Sequence, residues 1–87
     1  MKFTVLWLPT ADAKLVELWM SGNDRGDIQR SADEIERLLA SSPHDVGESR
    51  VAATRVLIVS PLGVYYNVND ADRRVTVFSV WRSRKIE

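Results

Sequence analysis

Four of the six arginines in the second half of this chain, Arg50, Arg55, Arg82 and Arg84, are the first candidates for chemistry. Each guanidinium offers a planar fork of N–H donors that matches a phosphate, so together they can form a phosphate-binding face. The plainer alternative is a solvated rim in which they pair with Glu48, Asp70 or Asp72. Tyr65 and Trp81 can stack on unpaired bases or anchor a protein partner, and core packing or partner burial is the plainer role for Trp81. The single histidine, His44, sits in a loop-like stretch; catalysis is open to it, but a surface histidine is the plainer reading. With no cysteine and one histidine, no metal site or disulfide is expected, and no cofactor.

Those residues must be positioned by a small body. Eighty-seven residues make one domain, 1–87, with a single thin core. Net charge is zero, yet residues 1–47 carry five basic and eight acidic side chains, and residues 48–87 carry seven basic and four acidic ones. Such unevenness arises by chance in a small protein or marks a modest basic face on the sheet, far from the overall basicity usual in nucleic-acid-binding domains. No apolar run reaches the ~20 residues of a membrane span, and the N-terminus lacks the apolar core of a secretory signal. A cytoplasmic location is expected.

Residues 3–8 are β-branched and aromatic and are stopped by Pro9, which predicts a strand. Thr10 then suits a helix cap, with Asp12 in the first turn and Ala11, Leu15, Leu18 and Trp19 on an apolar face. Asn23 or Asp24 opens a second helix in which Ile28, Ala32, Ile35 and Leu39 recur at helical spacing. Trp7 and Trp19 are expected in the core. After a loop at 43–47, residues 48–51 can pair briefly. Residues 55–60 read as a central strand covered on both faces. Pro61 and Gly63 read as turn formers, and Gly47 as a backbone-geometry position. In the next strand Val64, Tyr66 and Val68 share one face, while Tyr65, Asn67 and Asn69 share the other. A hairpin loop at 69–72 leads to the last strand, 74–82. The order β-α-α-β-β-β predicts an α+β fold: a small antiparallel sheet with a helical hairpin on one face.

That order, with several local strings, resembles the RelE/ParE superfamily of bacterial toxins. Trp7-Leu8-Pro9-Thr10-Ala11-Asp12-Ala13-Lys14-Leu15 is similar to the family's strand-to-helix opening. Ile35-(x)2-Leu38-Leu39-(x)3-Pro43-(x)3-Gly47 resembles its helix-to-sheet junction. Arg55-Val56-Leu57 with Pro61-Leu62-Gly63-Val64-Tyr65-Tyr66-Asn67-Val68 is similar to its central hairpin, and Val77-Phe78-Ser79-Val80-Trp81-Arg82 to its last strand. The resemblance covers nearly the whole chain.

It implies the toxin of a type II toxin–antitoxin pair, neutralised by a cognate antitoxin and acting either on mRNA at the ribosome or on DNA gyrase. The alternative is a non-toxic, catalytically incomplete member that works as a protein-binding module. Metal-free RNA cleavage needs a group to activate the 2′-oxygen, cations to steady the phosphate and a proton donor for the leaving oxygen. On the family pattern Arg82, followed by Arg84 and Lys85, takes the basic position at the end of the last strand. Gly63 stands where RelE-type toxins often place an arginine, and no tyrosine follows the last strand. Tyr65 or Tyr66 substitutes only if its hydroxyl reaches the same groove. Arg50, Arg55, Tyr65, Arg82 and Arg84 are therefore the candidate catalytic residues. The antitoxin is expected to seat on outward apolar residues of the first helix, Val16 and Met20 among them.

Overall fold

The computed structural model describes residues 2–51 and 53–83. Strand β1 (Thr4–Trp7) leads to helices α1 (Pro9–Met20) and α2 (Arg25–Ser41), and strands β2 (Glu48–Ser49), β3 (Arg55–Val59), β4 (Leu62–Asn69) and β5 (Arg74–Arg82) follow. The sheet order is β1-β5-β4-β3-β2. From β2 to β5 the pairing is antiparallel, as expected, but β1 adds to β5 in parallel, so the sheet is mixed. The two helices lie on one face, in agreement with an α+β reading.

Helix α1 starts two residues earlier than a Thr10 cap would place it. Leu8 is the N-cap and Pro9 the first helical residue, a position where a missing N–H costs nothing and the fixed φ already suits the helix. Asp24 is the N-cap of α2, but its carboxylate caps no backbone N–H. Ile28, Ala32, Ile35 and Leu39 all turn inward and pack on Leu62, Val64, Tyr66, Val75, Val77 and Val80 of the sheet. Trp7 packs against the margin of this cluster. Trp19 does not: it is 37% exposed, under the Arg25 guanidinium at 4.7 Å. It lies between the two helices, beside Leu15, Val16 and Ile28.

Strand β3 is covered on its core side and, on the other side, only at Val56, which is 6% exposed. Leu57 and Val59 pack toward the core, whereas Ile58 is 55% exposed on the other side. Its apolar run reflects an open but apolar sheet face, not a second layer. A bulge in β5 changes which side chains face where. Tyr65 pairs with Ser79 and Tyr66 with Val77, so Phe78 is the extra residue. Beyond it Val80 faces the helices, Trp81 the open side, and Arg82 the helices again.

Candidate functional site

The residues that can do chemistry fall in separate places. Arg82, at the end of β5, turns under the helical hairpin. Its Nη1 donates to Asp24 Oδ2, and its Nη2 to the Leu18 carbonyl at 3.3 Å. One side chain thus ties the end of α1 and the start of α2 to the last strand. This explains why Asp24 does not cap its own helix. The hydrogen bond from Arg82 holds the Asp24 carboxyl below the usual aspartate range; partial burial opposes it and the charge of Arg82 adds to it. Ser83 N–H donates to Pro61 O at 2.7 Å and fixes the same strand end.

Arg55 lies on the helix side of β3, near the opposite end of the sheet. Its Nε donates to the Tyr66 hydroxyl at 3.3 Å, Nη1 to Ser49 Oγ at 3.0 Å, and Nη2 to the carbonyls of His44 and Gly47, both at 2.9 Å. Tyr66 is fully buried and donates to Pro43 O at 2.8 Å. Arg55 and Tyr66 therefore fasten the 43–49 loop to the sheet. Gly47 has a negative φ, and its role is close approach rather than special geometry. A Cβ there would meet the Tyr66 hydroxyl at 2.5 Å and Val56 O at 2.6 Å.

Arg50 is exposed and pairs with Glu48 at 3.2 Å, Arg74 pairs with Asp72 at 3.1 Å, and His44 Nε2 meets Asp70 Oδ1 at 2.8 Å. That is the rim arrangement. Arg55 is paired opposite Tyr66 and Arg82 opposite Leu62, which separates them by about 13 Å along β4 at ~3.3 Å per residue. Arg50, Arg55 and Arg82 do not converge on one phosphate. Arg84 lies outside the described residues.

Tyr65 sits on the open face, away from both fastened arginines. Its ring lies 4.8 Å from Trp81 and is stacked 6.2 Å from Phe78. Gly63 is inside β4 and does not form the turn. A Cβ on it would come within 2.6 Å of the Trp81 indole, so the glycine is the floor on which Trp81 lies. Leu6, Ile58, Tyr65, Phe78 and Trp81 make the middle of this face apolar and free of charge. Among the described residues, phosphate-binding chemistry has no cation in that middle.

A second apolar surface runs between the helices. A groove of about 320 Å³ is lined by Leu15, Val16, Trp19, Ile28, Gln29 and Ala32. Val16 is 49% and Met20 61% exposed beside it, as expected for an outward apolar edge of α1. Such contiguous apolar surface on a small domain marks an interaction site. The exposure of Trp19 could not be read from its helical spacing, which suits a core position equally well. Among the described residues no group of three or more His, Cys, Asp or Glu is placed to hold a metal. No helix among them is long and apolar enough to cross a membrane.

No family profile matches the chain, and no curated protein sequence does. Solved structures do match. The toxin–antitoxin complex RelBE2 of Mycobacterium tuberculosis aligns with a TM-score of 0.78 at 19% identity, over 94% of this chain and 92% of that one. A chain of the chromosomal ParDE system of P. aeruginosa aligns with a TM-score of 0.73 at 16% identity, over 94% and 97%. The isolated E. coli RelE toxin gives 0.66 at 16%, over 98% and 88%. The chain has the fold of the RelE/ParE toxins.

Proposed function

We propose that this chain is the toxin half of a type II toxin–antitoxin pair and that it acts by gripping a protein rather than by cutting RNA. The observation that carries the reading is the uncharged middle of the open sheet face. Cleavage of a phosphodiester requires cations at the phosphate, whereas Tyr65, Phe78, Trp81, Ile58 and Leu6 offer only apolar and aromatic surface. Aromatic side chains in an uncharged patch suit the core of a protein interface. Of the two targets associated with this fold, DNA gyrase fits such a face better than mRNA on the ribosome. The α1–α2 groove, on the opposite side, is the seat for the antitoxin.

The test is expression from a tightly repressed promoter in a bacterium, with viable counts, mRNA integrity and gyrase co-purification followed after induction. Growth arrest with intact mRNA and co-purified gyrase supports the reading. Arrest with cleaved transcripts, abolished by Arg82→Ala at unchanged stability, overturns it in favour of a ribonuclease. Unimpaired growth with soluble protein that still binds the product of a neighbouring gene supports the second reading, a non-toxic binding module. That reading draws on the engagement of Arg55 and Arg82 within the protein. For the antitoxin seat, Val16→Glu and Met20→Glu are expected to weaken the complex at least ~10-fold, about 1.4 kcal/mol, while leaving the melting temperature unchanged. Unchanged affinity would remove the groove from the interface.

A further inference from the structure

One polar cavity is used by neither surface. It lies at the β2–β3 corner, on the helix side of the sheet and clear of the helices. Its volume is about 200 Å³ and its polar lining is His44, Ser49, Thr54 and Arg55, with Val68 at one wall. No carboxylate lines it. Ser49, Thr54 and Arg55 each bring a hydrogen-bond donor.

The donors are held by bonds made elsewhere. Four of the five guanidinium N–H groups of Arg55 are taken by Tyr66, Ser49, His44 and Gly47, which leaves one on Nη1. Ser49 Oγ accepts from that same Nη1 and keeps its own O–H to give. His44 gives its Nε2–H to Asp70 Oδ1, so the ring walls the cavity and donates nothing into it. Its ring is also set edge-on against Phe3, 6.1 Å between centroids. The Thr54 hydroxyl makes no hydrogen bond among the described residues. Its backbone is set by Thr54 N–H to Val51 O at 3.1 Å and by Arg50 N–H to its own carbonyl at 2.8 Å.

We propose that this cavity is a binding site for a tetrahedral phosphate-type oxyanion. Donors without a facing carboxylate, on a frame fixed by the Arg55–Tyr66 network, match an acceptor-only ligand that satisfies several of them at once. The site stands apart from the antitoxin groove and the aromatic face, and does not depend on either. Free phosphate and the phosphate of a nucleotide share this chemistry.

The single histidine makes the test direct. The imidazole carbon–proton signals of the full chain belong to His44 alone, and they are followed during titration with inorganic phosphate, with sodium chloride at matched ionic strength as control. A saturable shift with a Kd of about 1 mM or tighter, absent with chloride, is expected. Thr54→Val and Ser49→Ala should each weaken it by about tenfold or more with the amide spectrum otherwise unchanged. A parallel titration with adenosine monophosphate separates the sources: tighter binding assigns a nucleotide, equal binding a free phosphate. A shift that chloride reproduces, or one that fails to saturate, would overturn the site. Equal affinity in the Thr54→Val and Ser49→Ala proteins would do the same.

Discussion

Tyr65 and Tyr66 are neighbours in the chain with opposite roles, and the same substitution should separate them. Tyr66→Phe removes a hydroxyl that gives one hydrogen bond to Pro43 O at 2.8 Å and takes one from Arg55 Nε at 3.3 Å. The ring is fully buried, so water cannot replace either bond. The lost hydrogen bond is worth about 1 kcal/mol and the stranded Pro43 carbonyl costs about 1 kcal/mol or more, giving a loss of about 2 kcal/mol. For a domain of this size that lowers the melting temperature by roughly 8–16 °C. Tyr65→Phe removes a hydroxyl on the open face that makes no hydrogen bond among the described residues, and its effect should stay within about 0.5 kcal/mol. Circular dichroism melts and urea titrations of the three proteins decide the matter. The Tyr66→Phe protein should also shift the His44 imidazole signal, because the 43–49 loop loses one of its ties. If Tyr66→Phe melts with the wild type, or if the two variants lose equal stability, the Arg55–Tyr66 network does not hold the loop.

Three further outcomes follow from the packing and the charges. Gly63→Ala places a methyl group within 2.6 Å of the Trp81 indole; it should cost about 1–3 kcal/mol and alter tryptophan fluorescence, and a silent substitution would show that Trp81 does not lie on that position. The Asp24–Arg82 tie should be acid-sensitive. Because the folded carboxyl is held below the ordinary aspartate value of 3.8, its stabilising contribution is complete above that pH and lost as pH falls through the lowered value. Asp24→Asn should therefore be less stable than wild type at neutral pH and converge with it in acid, and a gap that persists in acid would refute the pairing. Glu34, lowered by its hydrogen bond from Arg37, should titrate in the same direction on the surface of α2, as a carboxylate-resolved NMR titration would show.

Helix α2 was fully legible, because its apolar residues keep one period and its burial follows it: Ile28, Ala32, Ile35 and Leu39 are 5% exposed or less. The alternation of Tyr65 and Tyr66 across β4 was legible for the same reason. What failed to show was pairing between distant segments. The side of the sheet that Arg82 faces depends on the bulge at Phe78, which exists only because of how β5 meets β4. The Asp24–Arg82 bond joins residues 58 positions apart, and nothing local distinguishes it from a free cation beside a free cap. Arg55 looked free to offer a phosphate its whole fork, yet four acceptors claim all but one of its N–H groups. Parallel docking of β1 was hidden likewise, since a strand's sequence does not state the direction of its neighbour.

That parallel pairing governs the order in which the molecule can be completed. Thr4 aligns with Arg74 and Trp7 with Val77, a closure across nearly the whole chain. During synthesis β1 and the helical hairpin emerge first, and they wait with their apolar faces uncovered until the final strand is made. Contacts of such long sequence separation form slowly, because the loop must be closed before any pairing rewards it. The last strand to be translated is thus the one that touches β1, α1 and β4 together. A partner that engages the exposed helices early would act on a nascent chain and not on a finished one.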